Sequence, residues 1–495
     1  MKADNLKRKP DTNSVLSCIN NKPKGYKGLS GFHKYWGKKP IEAWQFLIVN
    51  FTNKKDIVLD PFLGSGLIAK ECLDQGRRFI GFDVNPISIE LTKLYLQLPE
   101  YRDLRNAIDK IEDSIKPVIN EMYLFQDGNI ATHFLWDNEN IIKAWTKNGR
   151  KRIELDLNGK EKNYFQKMPS YKPEHLREIR LFDNSRINSK KSLSMTDLFT
   201  PRAIYAIDQI RKEIQKYDGD IKRALLLILS SSLGQMSKMV FAVSKRGKTK
   251  GEIIDNIEVG SWVIGYWRPK QHFEINAWNC FNNKANKLLK AIIEIQVKSK
   301  SYIAQDISKF LNHNVDAYIN VGDSAFLLKD IPNNSIKVIL TDPPHGDRIP
   351  YLELSEMWNS VIGLESNYAE ELIVSNAKGR NKGINEYNEK LDSIFSECAR
   401  VLCFNGLLAV MFNARSQSHW YSLNKLEKSS GLEYIGCYPM EYSAGSVVQD
   451  NRKGGLKTDF VLIYGKKINK ANKIKLSNIF NAINEWSTSY PKNEF

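Results

Sequence analysis

The sequence predicts an α/β fold: a doubly wound parallel sheet interrupted by one long basic insert. Three observations carry that reading. Apolar runs of strand length alternate with helical patterns in two separate stretches, residues 56–96 and 317–465, and strands alternating with helices at that spacing pair in parallel. Two of these runs end in acidic, proline-containing loops, "VLDPFLGSG" (Val58–Gly66) and "LTDPPHGDRIPY" (Leu340–Tyr351). Parallel α/β sheets bind ligands at such strand tips. Between the two stretches the rhythm lapses while positive charge accumulates.

Taken along the chain, residues 1–30 are polar, with Lys, Pro and Gly, and read as a loose basic arm. "HKYWGKKPIEAWQFLIVNF" (His33–Phe51) leads through a helix into the first half of the sheet, residues 31–104. That half reads as strand Ile57–Leu59, a glycine loop, a helix over about Leu67–Gln75, strand Phe79–Phe82 and a second helix. The insert spans residues 105–316 and shows no evident strand–helix rhythm. Within it "TPRAIYAIDQIRKEI" has Thr200 as N-cap, Pro201 in the first turn, and Ile204, Ile207, Ile210 and Ile214 on one face. "KRALLLILSSSLGQMSKMVFAV" reads as a buried helix, "SKRGKTKG" (Ser244–Gly251) as a basic loop, and "GSWVIGYWRPKQHFEINAW" as aromatic and strand-like. Alternation resumes over 317–466 through "ARVLCFNGLLAVMF" and a basic loop, "NRKGGLK", into "TDFVLIYG". Residues 467–495 read as a tail or helix.

Composition narrows the partners. The chain holds 73 Lys+Arg against 56 Asp+Glu, a net +17. Residues 141–300 carry 32 basic and 16 acidic residues, so this window holds a surplus of 16 and the rest of the chain only +1. A solvated basic face is the plain use of such charge; its segregation favours a polyanion. No apolar run reaches membrane-span length, and the polar start has no apolar signal core, so a cytoplasmic protein off the membrane is expected. Cys18, Cys72, Cys280, Cys398, Cys403 and Cys437 are scattered without a CxxC pair, which points to reduced thiols and to no metal site.

The two loops carry the chemistry. In the first, Asp60 follows an apolar strand, and Gly64 and Gly66 let the backbone approach a ligand at the start of the next helix. Asp83, at the tip of the following strand, is placed to accept from ribose hydroxyls, with Val84, Asn85 and Pro86 after it. The loop matches neither GxGxxG nor GK[ST], so a dinucleotide or P-loop site is poorly supported. In the second loop, Pro343 and Pro344 stiffen the chain after the strand. An exocyclic amino group on a nucleobase is a poor nucleophile, because its lone pair is delocalised into the ring. The Asp342 carboxylate and the Pro343 carbonyl can accept its two N–H bonds in a preset geometry. The next residue, His345, stands where a ring would stack on the base.

These two motifs, "DPFLGSG" and "DPPH", resemble the cofactor and catalytic motifs of the amino-group DNA methyltransferases, which act on adenine N6 or cytosine N4. The resemblance covers Phe32–Leu98 and roughly Val321–Gly465. It implies a Rossmann-like methyltransferase sheet, S-adenosylmethionine as cofactor, and Asp342, Pro343, Pro344 and His345 as the catalytic loop. Asp60, Pro61, Phe62, Gly64, Ser65, Gly66, Asp83 and Asn85 are then expected at the cofactor. "HKYWGKKP" resembles the family's N-terminal motif over the methionine end, which adds His33, Tyr35, Trp36 and Lys38. "VGDS" resembles the strand motif beside the base, which adds Asp323. The order of motifs resembles the α-type arrangement, whose insert is the target-recognition region. Double-stranded DNA is the expected partner, and a separately encoded restriction endonuclease fits the same resemblance.

His345 departs from the family's usual aromatic. With Asp342, Pro343 and Pro344 all in place, the chain is expected to be active, and phenylalanine at 345 to retain methylation. Tyr351, Glu353 and Trp358 are further candidates for the base pocket, although residues of those types commonly serve as core. Adenine N6 is the first reading. Cytosine N4, an RNA base methyltransferase, and a DNA-binding protein without catalysis are the alternatives. No Pro-Cys dipeptide is present, which counts against thiolate chemistry at carbon 5 of cytosine.

Overall fold

The computed structural model of the chain describes residues 26–477 apart from 40, 150, 180, 250–251, 264, 296–300, 313–314, 414–416, 442–457, 472 and 474–475. Most of the 1–30 arm, Pro40, the basic stretch 451–457 and most of the 467–495 tail therefore lie outside the described residues.

Two groups of strands contribute to one eight-stranded sheet. The first is β1 (Ile57–Asp60) and β2 (Arg78–Asp83). The insert then supplies β3 (His133–Asp137), β4 (Asn140–Asn148), β5 (Lys151–Leu155), β6 (Ala242–Thr249), β7 (Glu252–Val259) and β8 (Gln271–Ile275). The second group is β9 (Ile303–Ala304), β10 (Ala317–Val321), β11 (Ile336–Thr341), β12 (Leu402–Phe412), β13 (Glu433–Glu441) and β14 (Thr458–Lys466). The large sheet has the order β13-β14-β12-β11-β1-β2-β10-β9. β14 runs antiparallel to β12 and β13, and every other neighbouring pair is parallel. From β1 the chain winds one way through β2 and β10, then returns to β11 and β12 on the other side. The order reverses between β1 and β11, which pair through Val58↔Val338 and Leu59↔Ile339. A crevice opens at the carboxyl ends of strands where such a reversal occurs.

Apolar residues on both faces bury the sheet, as parallel strands require. Val58, Phe79 and Val338 pack with Leu47 and Ile48 of α1 (Ile41–Phe51) and Ile68 and Cys72 of α2 (Leu67–Asp74). Their neighbours Leu59, Ile80 and Ile339 pack on the other face. A third cluster is built largely from helices. It gathers α3 (Pro86–Leu96), α4 (Tyr101–Glu121), α5 (Pro201–Ile214), α6 (Gly219–Met236), α7 (Ala277–Glu294) and α8 (Tyr351–Ile362). α5 starts as the sequence predicts, with the Thr200 hydroxyl accepting from Ala203 N at 3.3 Å.

The insert corrects two expectations. It holds an antiparallel sheet of order β5-β4-β3-β8, where no strand rhythm is evident in sequence. The pairing of His133 with Ile275 joins segments far apart in the chain, and local periodicity carries no trace of it. Of the segment expected as a basic loop, residues 244–249 instead belong to strand β6, paired along its length with β7, and 250–251 lie outside the described residues.

One buried carboxylate fastens the small sheet. Glu274 on β8 accepts Arg202 Nε and Nη2 at 2.8 Å each, Trp136 Nε1 at 2.9 Å and the Tyr123 hydroxyl at 3.2 Å. Burial pushes the Glu274 carboxyl upward, but the Arg202 guanidinium more than offsets this and leaves it below the ordinary range. Such a pair holds when every lone pair and proton is satisfied.

Candidate active site

A cleft opens at the tips of β1, β2, β10 and β11. It is lined by residues of the loops that follow those strands, of the 35–39 segment, and of α8 and the 370–394 region. The two motif carboxylates meet here. Asp60, the last residue of β1, accepts from Phe62 N at 3.0 Å and from the Thr341 hydroxyl at 2.8 Å. Thr341 ends β11 and directly precedes Asp342, so one hydrogen bond ties the two loops together. Burial pushes the Asp60 carboxyl up to about 7.

Asp83, at the tip of β2, accepts from Gly64 N at 2.7 Å and from Asn85 N at 2.8 Å. Burial outweighs these amide dipoles and pushes its carboxyl up to about 6. The loop is thus clamped in a shape that presents Pro61, Phe62, Gly64 and Ser65 to the cleft. Gly66 has a different job from the one expected. It does not line the cleft; its φ is +74°, and a Cβ there would sit 2.0 Å from the Thr92 hydroxyl of α3. Glycine at 66 lets two helices approach rather than a ligand. Asn85 is also set back, fully buried, donating to Ser355 Oγ at 2.8 Å and the Tyr35 hydroxyl at 3.3 Å.

Of the 33–38 segment, Tyr35, Trp36 and Lys38 line the cleft and His33 does not. The His33 ring is buried, its Nε2 3.0 Å from Ser230 Oγ and its Nδ1 2.6 Å from the Lys34 carbonyl. Burial pushes its pKa down to about 3, so it is a neutral core histidine. Trp36 stacks on Trp358 at 5.1 Å, which places Trp358 behind the wall. Glu353 is buried too, accepting from Asn184 Nδ2 at 2.8 Å. Lys38 Nζ donates to the carbonyls of Ser30 (2.9 Å) and His33 (2.6 Å), and burial pushes it down to about 7. Asp323 lines the cleft, paired with Lys390 at 2.8 Å.

Asp342 and Pro344 line the cleft, whereas Pro343 and His345 do not. The Pro344 carbonyl accepts the Tyr387 hydroxyl at 2.5 Å. Asp342 Oδ1 is buried and accepts no well-directed hydrogen bond. It lies 3.1 Å from His345 Nε2 and 3.5 Å from Lys39 Nζ. Lys39 is anchored by Asp459 on β14 at 2.7 Å. Burial alone would raise the Asp459 carboxyl, but Lys39 holds it below the ordinary range. The His345 ring meets Phe412 edge-on at 4.9 Å, with its side chain only 8% exposed. The stacking surface expected of His345 is therefore not where this ring lies.

Sequence reading missed Lys39, Glu370, Glu371 and Lys390, all in the lining. Lys39 stands inside a quoted motif, but its partner Asp459 is 420 residues away. Nothing in sequence marked the others. Among the described residues no group of three or more His, Cys, Asp or Glu could hold a metal ion.

Comparison with known proteins bears on this site. A family model described as DNA methylase, of the N6/N4 type, matches residues 2–94. The Type II methyltransferase M.MjaII of Methanocaldococcus jannaschii is 23% identical over 358 residues, 66% of this chain and 61% of that protein. The Type II methyltransferase M.HpaI of Haemophilus parainfluenzae is 32% identical over 131 residues, 26% of this chain and 38% of that protein. The chain thus spans less than two thirds of the length of either relative. Among solved structures, a PvuII DNA methyltransferase titled cytosine-N4-specific overlaps 29% of this chain and 47% of that one, at 17% identity and a TM-score of 0.21. The match over residues 2–94 ends beyond Asp60 and Asp83, so the similarity to DNA methylases of the N6/N4 type takes in the first motif of the cleft.

Proposed function

We propose that this protein transfers a methyl group from S-adenosylmethionine to the exocyclic amino group of a base flipped out of duplex DNA, adenine N6 ahead of cytosine N4. The observation that supports it is the meeting of Asp60 and Asp342 at the tips of adjacent parallel strands, open to one cleft. The lining fits the cofactor: six carboxylates (Asp60, Asp83, Asp323, Asp342, Glu370, Glu371) face three lysines (Lys38, Lys39, Lys390), an acidic balance suited to a sulfonium. Asp83 keeps lone pairs beyond those used by Gly64 and Asn85 and would accept from ribose hydroxyls. Tyr35, Trp36 and Phe62 offer ring faces. The cofactor, when bound, supplies an electrophilic methyl group. Asp342, with Lys39 Nζ 3.5 Å from its Oδ1, accepts an N–H of the target amino group and draws its lone pair out of conjugation. No protein nucleophile takes part.

The basic insert, residues 105–316, serves as the target-recognition region, where its surplus charge meets phosphates. Both relatives carry the name Type II methyltransferase, which supports a separately encoded endonuclease acting at the same unmodified site. The substrate places the protein in the cytoplasm; among the described residues no helix is long and apolar enough to cross a membrane.

The test is modified-base sequencing of DNA from cells expressing the chain, against cells carrying Asp342→Ala. One methylated motif, absent with the variant, is expected. Unmodified DNA from cells with folded wild-type protein would overturn the proposal.

A further inference from the structure

His345 is held on every polar side. Its Nδ1 lies 3.2 Å from Arg348 Nη1. A guanidinium N–H can only donate, so Nδ1 accepts and the ring proton sits on Nε2. That nitrogen meets the Met411 carbonyl at 3.4 Å and Asp342 Oδ1 at 3.1 Å. Phe412 covers the ring edge-on. To lie flat on a base, the imidazole would have to leave Arg348, Met411 and Phe412 together.

Tyr351 is placed differently. It opens α8, directly after Pro350, on a helix start fixed by Leu352 N donating to Glu371 Oε1 at 2.9 Å. Tyr351 lines the same cleft as Asp342, and its ring stands nearly parallel to Tyr35, centroids 6.2 Å apart at 26°. A rigid helix start holding a half-exposed aromatic in the wall is a ready stacking platform for a base.

We infer that Tyr351 makes the flat contact to the target base, and that His345 instead acts as a positioning residue behind Asp342. The inference rests on the function proposed above and names which side chain does what within it. It also reverses the sequence-based expectation for position 345: phenylalanine there fills the space but loses the Nε2–H beside the carboxylate.

The experiment uses a duplex carrying the motif found by sequencing, with its target base replaced by a fluorescent analogue (2-aminopurine for adenine, pyrrolocytosine for cytosine). A flipped base stacked on tyrosine is quenched. With wild type and Tyr351→Phe the bound analogue stays dim; with Tyr351→Ala it brightens, and kcat/KM on the natural duplex falls about 5- to 150-fold. Tyr351→Leu serves as the variant that keeps volume at the helix start, and S-adenosylmethionine binding and Tm confirm folding of each. His345→Phe leaves the analogue dim and lowers kcat with KM little changed, and His345→Asn, which retains a donor, recovers part of that loss. Unchanged quenching in both Tyr351→Ala and Tyr351→Leu, or brightening with His345→Phe, would overturn the assignment. Failure of wild type to methylate any duplex would instead remove the proposed function itself.

Discussion

Two carboxylates, one in each part of the molecule, are treated in opposite ways. Glu274 in the insert has Arg202 on both oxygens and two further donors, with no lone pair left facing a space. Asp342 has the Lys39 ammonium and the His345 ring near its buried oxygen but no directed hydrogen bond to it, and its side chain borders a cleft. Complete satisfaction marks a fastening; incomplete satisfaction, compensated by charge at a distance, marks a place kept for a donor that arrives later. The contrast separates stability from chemistry.

The sharpest way to break it is to exchange the consequences. Asp342→Asn is expected to lower methyl transfer by about 10²- to 10³-fold, as for removal of an electrostatic group at the reacting centre, with Tm unchanged. Glu274→Ala leaves Arg202 buried and uncompensated, and is expected to cost about 3–5 kcal/mol in chemical denaturation. A large stability loss for Asp342→Asn, or none for Glu274→Ala, would erase the distinction.

A smaller effect tests what the Lys39 cation contributes beside Asp342. Lys39→Met is expected to lower kcat roughly 10- to 100-fold, with Lys39→Arg recovering part and Asp459→Asn reproducing part of the loss. Steady-state kinetics at saturating cofactor reads this directly. If Lys39→Met retains full kcat, the carboxylate needs no cation.

The smallest effect concerns the other motif carboxylate. Asp60 is raised to about 7 against an ordinary 3.8. Between those values the folded state binds the proton that the unfolded chain has lost, so stability falls as pH rises across this window. Asp60→Asn removes the penalty: its Tm is expected to exceed that of wild type by roughly a few degrees at pH 8, the gap closing as pH falls toward 4. Thermal melts of the free protein at several pH values measure it, and a constant gap would show that Asp60 ionises freely.

Much of this arrangement was legible in sequence because it is local. The strand before Asp60, the glycine turn and the strand before Asp342 each lie within a dozen residues, and parallel pairing of β1 with β11 follows from alternation. The Thr200 cap was read from two adjacent residues. What escaped was non-local. The small sheet joins His133 to Ile275, Lys39 finds Asp459 only through the tertiary fold, and Gly66 is set by Thr92 on another helix. The motif gives His345 but not the direction of its ring, which Arg348 and Phe412 decide.

Lys39 and Asp459 belong to segments made at very different times on the ribosome, 420 residues apart. The strand carrying Asp459 also slots between β12 and β13 as the last of the large sheet to be translated. A nascent chain halted before it would leave β12 with an unpaired edge and Lys39 without its anchor. The Lys39–Asp459 pair beside Asp342 is thus completed only late in synthesis.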